Sequence, residues 1–279
     1  MKTLIIFFFS IHAMLFSANS VLRQTGSIST QISMQLNDKS KRLDLHFPKS
    51  VKRYYDQNGL QLAWISRNQD KQTGEAMMLL DCVLHYGLIH ADYHPQALIY
   101  DNLSTMINEP EKIAVEQRVR FDILLTDAII TLINNLHYGK LSPNFPAKKI
   151  DRIRNTSGFN AVTELTKANK GNDFRAAILT AQPNSKAYGD LQSYMRLVKG
   201  QYVGDCYEVP ESEVRKIAIN MERLRWWAFG KMTAYQKKAA YQTCEIKDGL
   251  PVFYPDPRQL DLPLEAALYS MPEPLPSKM

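Results

Sequence analysis

At 279 residues, with 45% hydrophobic and 22% charged side chains, the chain can bury one large core or two ordinary ones. Its formal charge of +6 comes from 34 Lys and Arg spread against 28 Asp and Glu. That excess favours acidic partners but is too diffuse for a nucleic-acid reader, so no nucleic-acid partner is expected.

The N-terminus carries Lys2 and then an apolar stretch, Leu4 to Phe16, broken only by Ser10 and His12. Ala18 and Ser20 place small residues where a signal peptidase reads. An apolar run of about 13 residues is short for a bilayer span. Residues 1–20 are therefore predicted to be a secretory signal peptide, with no transmembrane segment in the mature chain and a periplasmic location. Residues 21–49 are polar and rich in Ser, Gln and Lys, and are predicted to form a loosely ordered leader.

Order is predicted to begin at "VKRYYDQNGLQLAWIS", where Val51, Tyr54 and Tyr55 fall at helical spacing and Asn58-Gly59 ends the helix. The alternation in "LQLAWI", residues 60–65, predicts a short strand. A second helix runs from about Glu75 to Gly87, and His94-Pro95 predicts an extended or turn conformation. Residues 118–139 give the strongest helix, apolar nearly all round through Ile123–Ile133, and thus predicted to be buried on most faces. Gly139 ends it, and Pro143 and Pro146 keep it from resuming. Further helices are predicted over 185–199 and after Pro210, the latter with Val214, Ile217, Met221 and Leu224 on one face and Arg215, Lys216, Glu222, Arg223 and Arg225 on the other. Seven of the 14 prolines lie in the last 29 residues, so 231–279 reads as a linker and Pro-rich extended tail. The predicted fold is mainly α, an irregular helical body over 50–230 with a few short strands.

Candidate sites are sparse. His85, His90 and His94 cluster in sequence, but Gly87 interrupts any helical i, i+4 pair, so capping and packing are predicted, with no metal and no cofactor. Asp127, inside the most apolar helix, is predicted to be a satisfied structural carboxylate. Lys148, Lys149, Arg152 and Arg154 form a basic run that is a solvated face or a contact for anionic cell-wall material. Trp64, Trp226 and Trp227 fit either a core or a sugar-stacking surface. Cys82 sits in an apolar helical pattern and reads as a small buried hydrophobe. Cys206 and Cys244 form a possible disulfide closing a loop of about 40 residues, worth roughly 3–4 kcal/mol. No G-x-S-x-G, G-x-G-x-x-G or phosphate-cradling loop occurs, so no catalytic residue is predicted.

Several stretches taken together resemble one family. "VKRYYDQNGLQLAW", "GLIHADYH", "DILLTDAIITLINNLHYGKLSP" and "IAINMERLRWW" look like successive motifs of the scaffold domain of large periplasmic L,D-transpeptidases. The resemblance falls on Tyr54, Tyr55 and Trp64, on Asp92, Tyr93 and His94, on Leu124–Ala128 with Gly139, Leu141 and Pro143, and on Asn220, Glu222, Arg223, Arg225 and Trp226. It implies structural roles for Trp64, Asp92, Tyr93, His94 and Asp127. It also implies that Arg223, Arg225, Trp226 and Trp227 dock a second domain or partner. The family's enzymes cross-link peptidoglycan through a cysteine set between Gly and x-Arg. None of Cys82, Cys206 and Cys244 has that context, and no catalytic-domain sequence follows Trp227. The expectation is an exported, non-catalytic scaffold whose partner is peptidoglycan or a cross-linking enzyme. The alternatives are a truncated or split transpeptidase, and a hydrolase using paired carboxylates.

Overall fold

A helix of 24 residues whose middle is apolar on every side can only be stable if other elements surround it. In the computed structural model, which describes residues 28–37, 43–66, 70–142, 144–153, 158–200, 211–229, 245–247 and 250–252, that helix is α5 (Val115–Tyr138) and the rest of the body is built round it. Ile123, Leu125, Ala128, Ile129, Ile130, Leu132, Ile133 and Leu136 are all fully buried. At about 1.5–3 kcal/mol for each large aliphatic side chain removed from water, this burial overrides the modest helix propensity of so many β-branched residues.

Helix α1 (residues 28–37) lies within the polar stretch read from sequence as a leader. It buries Ile32 completely, and Gln35 Nε2 donates to the Glu116 carbonyl at the start of α5, 2.9 Å away. Helix α2 (Pro48–Gln57) starts with Pro48 in its first turn, where a missing N–H costs nothing. Its own N-cap residue, Phe47, has no capping side chain. The cap comes instead from Asp151, whose carboxylate accepts from Lys49 N (3.1 Å) and Ser50 N (2.8 Å). Helix α3 (Asp70–Asp81) runs into a 3-10 turn (Val83–Tyr86) that ends at Gly87 in a left-handed conformation, φ 63°. A second 3-10 turn (His90–Tyr93), α4 (Tyr100–Asn108) and a third 3-10 turn (Pro110–Lys112) lead into α5.

Beyond α5 come α6 (Ala147–Ile150), α7 (Ala161–Lys170) and α8 (Phe174–Leu179). The side chains of Asn160 and Asp173 cap α7 and α8 at their N-termini. Helices α9 (Lys186–Gly200) and α10 (Glu211–Phe229) pair through Tyr188, Leu191, Met195, Val214, Ile217 and Met221, which form a second buried cluster beside the main core. Among the described residues the strands are β1 (Glu245–Lys247) and β2 (Leu250–Val252), an antiparallel pair in which Glu245 faces Val252. The architecture is mostly helical, as the sequence predicts. No helix among the described residues is long and apolar enough to cross a membrane.

One element differs from expectation. "LQLAWI" forms no strand, because the N–H groups of Ala63, Trp64 and Ile65 are committed to a single carboxylate, that of Asp122, and cannot enter a sheet ladder. The predicted signal peptide, the disulfide between Cys206 and Cys244, and the Pro-rich stretch after Val252 lie outside the described residues.

Gly139, at the exit of α5, has φ 81° and ψ 151°, a region that only glycine occupies without strain. A Cβ there would come within 2.5 Å of Glu222 Oε1 and 2.6 Å of Trp226 Nε1, both on α10. Gly139→Ala is expected to cost at least about 2 kcal/mol in urea unfolding, combining backbone strain with overpacking. Gly74→Ala, whose Cβ would meet nothing within 4 Å in the exposed side of α3, is expected to be neutral or stabilising.

Candidate functional site

Two carboxylates five residues apart on α5 gather the chain on either side of α2. Asp122 is fully buried. Its Oδ1 accepts from Ala63 N (2.8 Å) and the Tyr55 hydroxyl (2.6 Å), and its Oδ2 from Trp64 N (2.8 Å) and Ile65 N (3.2 Å). Burial pushes its carboxyl above the usual range, and the four donors oppose that rise. Thr126, one turn on, accepts from Trp64 Nε1 at 2.9 Å, so the indole is held at both its backbone and its ring.

Asp127, also fully buried, lies where three elements converge. Its Oδ1 accepts from Phe47 N at 3.0 Å. Its Oδ2 accepts from His46 N at 3.0 Å, and lies 3.3 Å from His46 Nδ1 and 2.8 Å from His94 Nε2. Burial alone would raise this carboxyl. The hydrogen bonds from both imidazoles and both amides outweigh it and hold the group down at about 2. Donating to the Asp127 carboxylate raises His46 above its ordinary value. His94 reaches Asp127 because its backbone is left-handed, φ 52° and ψ 45°, so the turn expected before Pro95 takes an uncommon hand. The His94 side chain is 14% exposed and that of His46 is 42% exposed, so the pair forms a wet edge on a dry carboxylate.

The residues around this edge are tied in turn. Asp92 forms an ion pair with Lys140 at 2.6 Å, and Asn135 Nδ2 donates to the Tyr93 hydroxyl at 3.0 Å. The sequence cluster His85, His90 and His94 does not assemble: His90 Nε2 meets the Asp81 carbonyl at 2.9 Å, and only His94 reaches Asp127. His46 was not legible, since it precedes Asp127 by 81 residues in a stretch read as a loosely ordered leader. Asp122 carried the same signal as Asp127, an acid inside an apolar helix, and could have been found by it.

Three of the α10 residues expected to dock a partner are buried within this chain. Arg225 is fully buried, and Arg223 and Trp226 are each 4% exposed. The Arg225 guanidinium donates to the Tyr188 hydroxyl (2.9 Å), to Glu222 Oε2 (3.2 Å) and to the Tyr86 carbonyl. Glu222 Oε1 accepts from Leu141 N (2.7 Å) and Trp226 Nε1 (3.0 Å). A buried guanidinium must find acceptors, and this one finds them inside its own chain rather than on another protein. The side chain of Trp227 lies outside the described residues. Of the basic run, Lys148, Lys149 and Arg152 are exposed while Asp151 turns inward to cap α2. A polar cleft of about 220 Å³ opens between α2 and α7, lined by Tyr54, Gln57, Asn58, Thr166, Asn169 and Lys170.

His137, near the end of α5, reports on α10 directly. Its ring stacks on Phe159 (centroids 3.5 Å) and on Phe229 of α10 (3.8 Å), and Nδ1 lies 3.1 Å from the Ala181 carbonyl. Burial lowers its pKa to about 4, against about 6.5 in an unfolded chain. Between those values the unfolded state binds more protons, so stability falls as pH drops from about 6.5 to about 4. His137→Phe should flatten that part of the pH profile of urea unfolding; an unchanged profile would show that the stack is not formed.

A family model described as Scaffold domain matches residues 49–195, just over half of the chain. The match covers α2 to most of α9, including both carboxylates of α5 and the His94 turn, and it stops before α10. No curated protein and no solved structure matches the chain. With the match spanning more than half of the chain and most of the core round α5, this chain belongs to the family of the L,D-transpeptidase scaffold domain.

Proposed function

We propose that the protein is an exported, non-catalytic scaffold of cell-wall assembly, which holds peptidoglycan or a cross-linking enzyme rather than performing the cross-linking itself. The observation that carries this reading is the pairing of a scaffold-domain match with a sequence whose cysteines, Cys82, Cys206 and Cys244, are preceded by Asp, Asp and Thr rather than by Gly. A thiol transpeptidase needs its cysteine activated by a neighbouring base and its oxyanion bound by preorganised donors. Cys82 lies partly buried just after α3, where it accepts the structural role of a small apolar side chain.

Two surface features suit a glycan mesh bearing free carboxylates. The exposed cations Lys148, Lys149 and Arg152 supply positive charge on α6 and the turn after it. The cleft between α2 and α7 is polar and is lined by Gln57, Asn58, Thr166 and Lys170, groups that hydrogen-bond to sugar hydroxyls. The signal-like first 20 residues support a periplasmic address, where such a mesh is found.

Sedimentation with purified sacculi tests the reading. The protein is expected to pellet with sacculi, to release as salt rises, and to leave muropeptides uncross-linked. Replacing Lys148, Lys149 and Arg152 by Glu should lower the pelleted fraction several-fold without altering the melting temperature, because exposed charges contribute little to stability. Cross-links that disappear on Cys→Ala substitution would make the protein an enzyme, and pelleting no greater than without sacculi would remove the wall-binding role.

A further inference from the structure

The Asp127 cluster has the donor set and spacing of a cation site, although nothing in the sequence brings its members together. His46 Nδ1, His94 Nε2 and a carboxylate oxygen of Asp127 all lie within 4.8 Å of one another. The two N–O separations, 2.8 and 3.3 Å, sit close to the roughly 3.3 Å edge of a tetrahedron built on metal–ligand bonds of about 2.0–2.1 Å. We infer that His46, His94 and Asp127 bind a divalent transition-metal ion, Zn²⁺ first among them, with water completing the coordination on the exposed side of His46.

Several independent features support this. The ligands come from three elements: the segment before α2, the left-handed turn after the second 3-10 helix, and the middle of α5. An ion there would clip all three together. Two imidazoles and one carboxylate suit zinc and its neighbours rather than the all-oxygen preference of Mg²⁺ or Ca²⁺. The carboxylate is already oriented by the amides of His46 and Phe47, which is the outer support that metal-binding groups require. His94 holds a backbone conformation uncommon for a non-glycine residue, and that conformation is what aims its ring. The carboxylates of Asp44 and Asp92 lie near enough to His46 to add to the negative field.

Proton accounting is consistent. Without the ion, each imidazole nitrogen facing Asp127 donates a hydrogen to the carboxylate. Binding needs lone pairs at His46 Nδ1 and His94 Nε2, so the protons move to the opposite ring nitrogens, and any imidazolium present releases one to solvent. No redox step is involved.

The test is titration of the metal-free full chain with Co²⁺, followed by displacement with Zn²⁺. One equivalent of Co²⁺ should produce the intense visible bands of a four-coordinate site, Zn²⁺ should bleach them, and the melting temperature should rise with the logarithm of free Zn²⁺ above its dissociation constant. His46→Ala keeps the backbone N–H to Asp127 and removes a half-exposed ring, so the chain should still fold. Losing a ligand should weaken Zn²⁺ affinity by more than the roughly 10–100-fold typical of losing an outer-shell partner. His94→Ala should do the same, whereas His85→Ala and His90→Ala should not. Failure to produce the Co²⁺ bands overturns the assignment, as does an affinity unchanged by His46→Ala, which places the ion elsewhere. The inference stands or falls separately from wall binding, because its readout is spectroscopic and needs no sacculi.

Discussion

Asp122 sets the terms for the rest of the molecule. A carboxylate in the middle of an apolar helix, with no solvent access, must be neutralised or supplied with donors from the same chain. Three consecutive backbone amides and a tyrosine hydroxyl supply them. The cost of burying the charge is thereby turned into a positional constraint, since only one placement of Ala63–Ile65 satisfies it. That placement drives Trp64 into the core, where it packs edge-on against Phe174 of α8. Asp127 repeats the device on the chain entering α2, and Asp151 repeats it at the helix's first turn. Helix α2 is thus held at its start and beyond its end by carboxylates distant in sequence, while Tyr54 and Tyr55 pack between.

The second constraint is the closure of α10 over the exit of α5. Gly139 leaves room for Glu222, Glu222 takes the Leu141 amide and the Trp226 indole, and Arg225 neutralises Glu222 while reaching back to Tyr86 and Tyr188. A buried ion pair of this kind is weak evidence of net stability, because desolvation offsets most of its attraction. Its consequence is specificity: α10 has one seat, and removing either partner leaves an uncompensated charge inside. Gly87, whose added Cβ would meet Ala218 at 2.9 Å, brings the same helix close on its other side. Helix α10 is thus tied into the body on both sides.

Much of this fold was legible because it rests on periodicity. The apolar run of α5, the spacing of Val51, Tyr54 and Tyr55, and the stripe of Val214, Ile217 and Met221 each predict a helix that is present. The ordered motifs also identified the family without any spacing signature of an active site. What stayed hidden depends on pairings across long separations. His46 meets Asp127 across 81 residues and Ser50 meets Asp151 across 101, and no local pattern encodes either. The alternation of Leu60, Leu62 and Trp64 is real, but Ala63, Trp64 and Ile65 are all buried with their amides on Asp122, and no strand forms. The resemblance gave Arg225 a docking role, and no local pattern points to its acceptors in this chain, Tyr188, Tyr86 and Glu222.

A scaffold domain of this construction presents a surface whose shape is fixed from within, by charges that the chain itself must satisfy. The most direct measurement is backbone hydrogen exchange in Asp122→Asn, a near-isosteric change that replaces one carboxylate oxygen by a donor facing donors. The account predicts that the Ala63, Trp64 and Ile65 amides lose protection and that unfolding stability falls by about 3 kcal/mol or more. Protection of those three amides equal to that of the unaltered chain, with stability within about 0.5 kcal/mol, would contradict it.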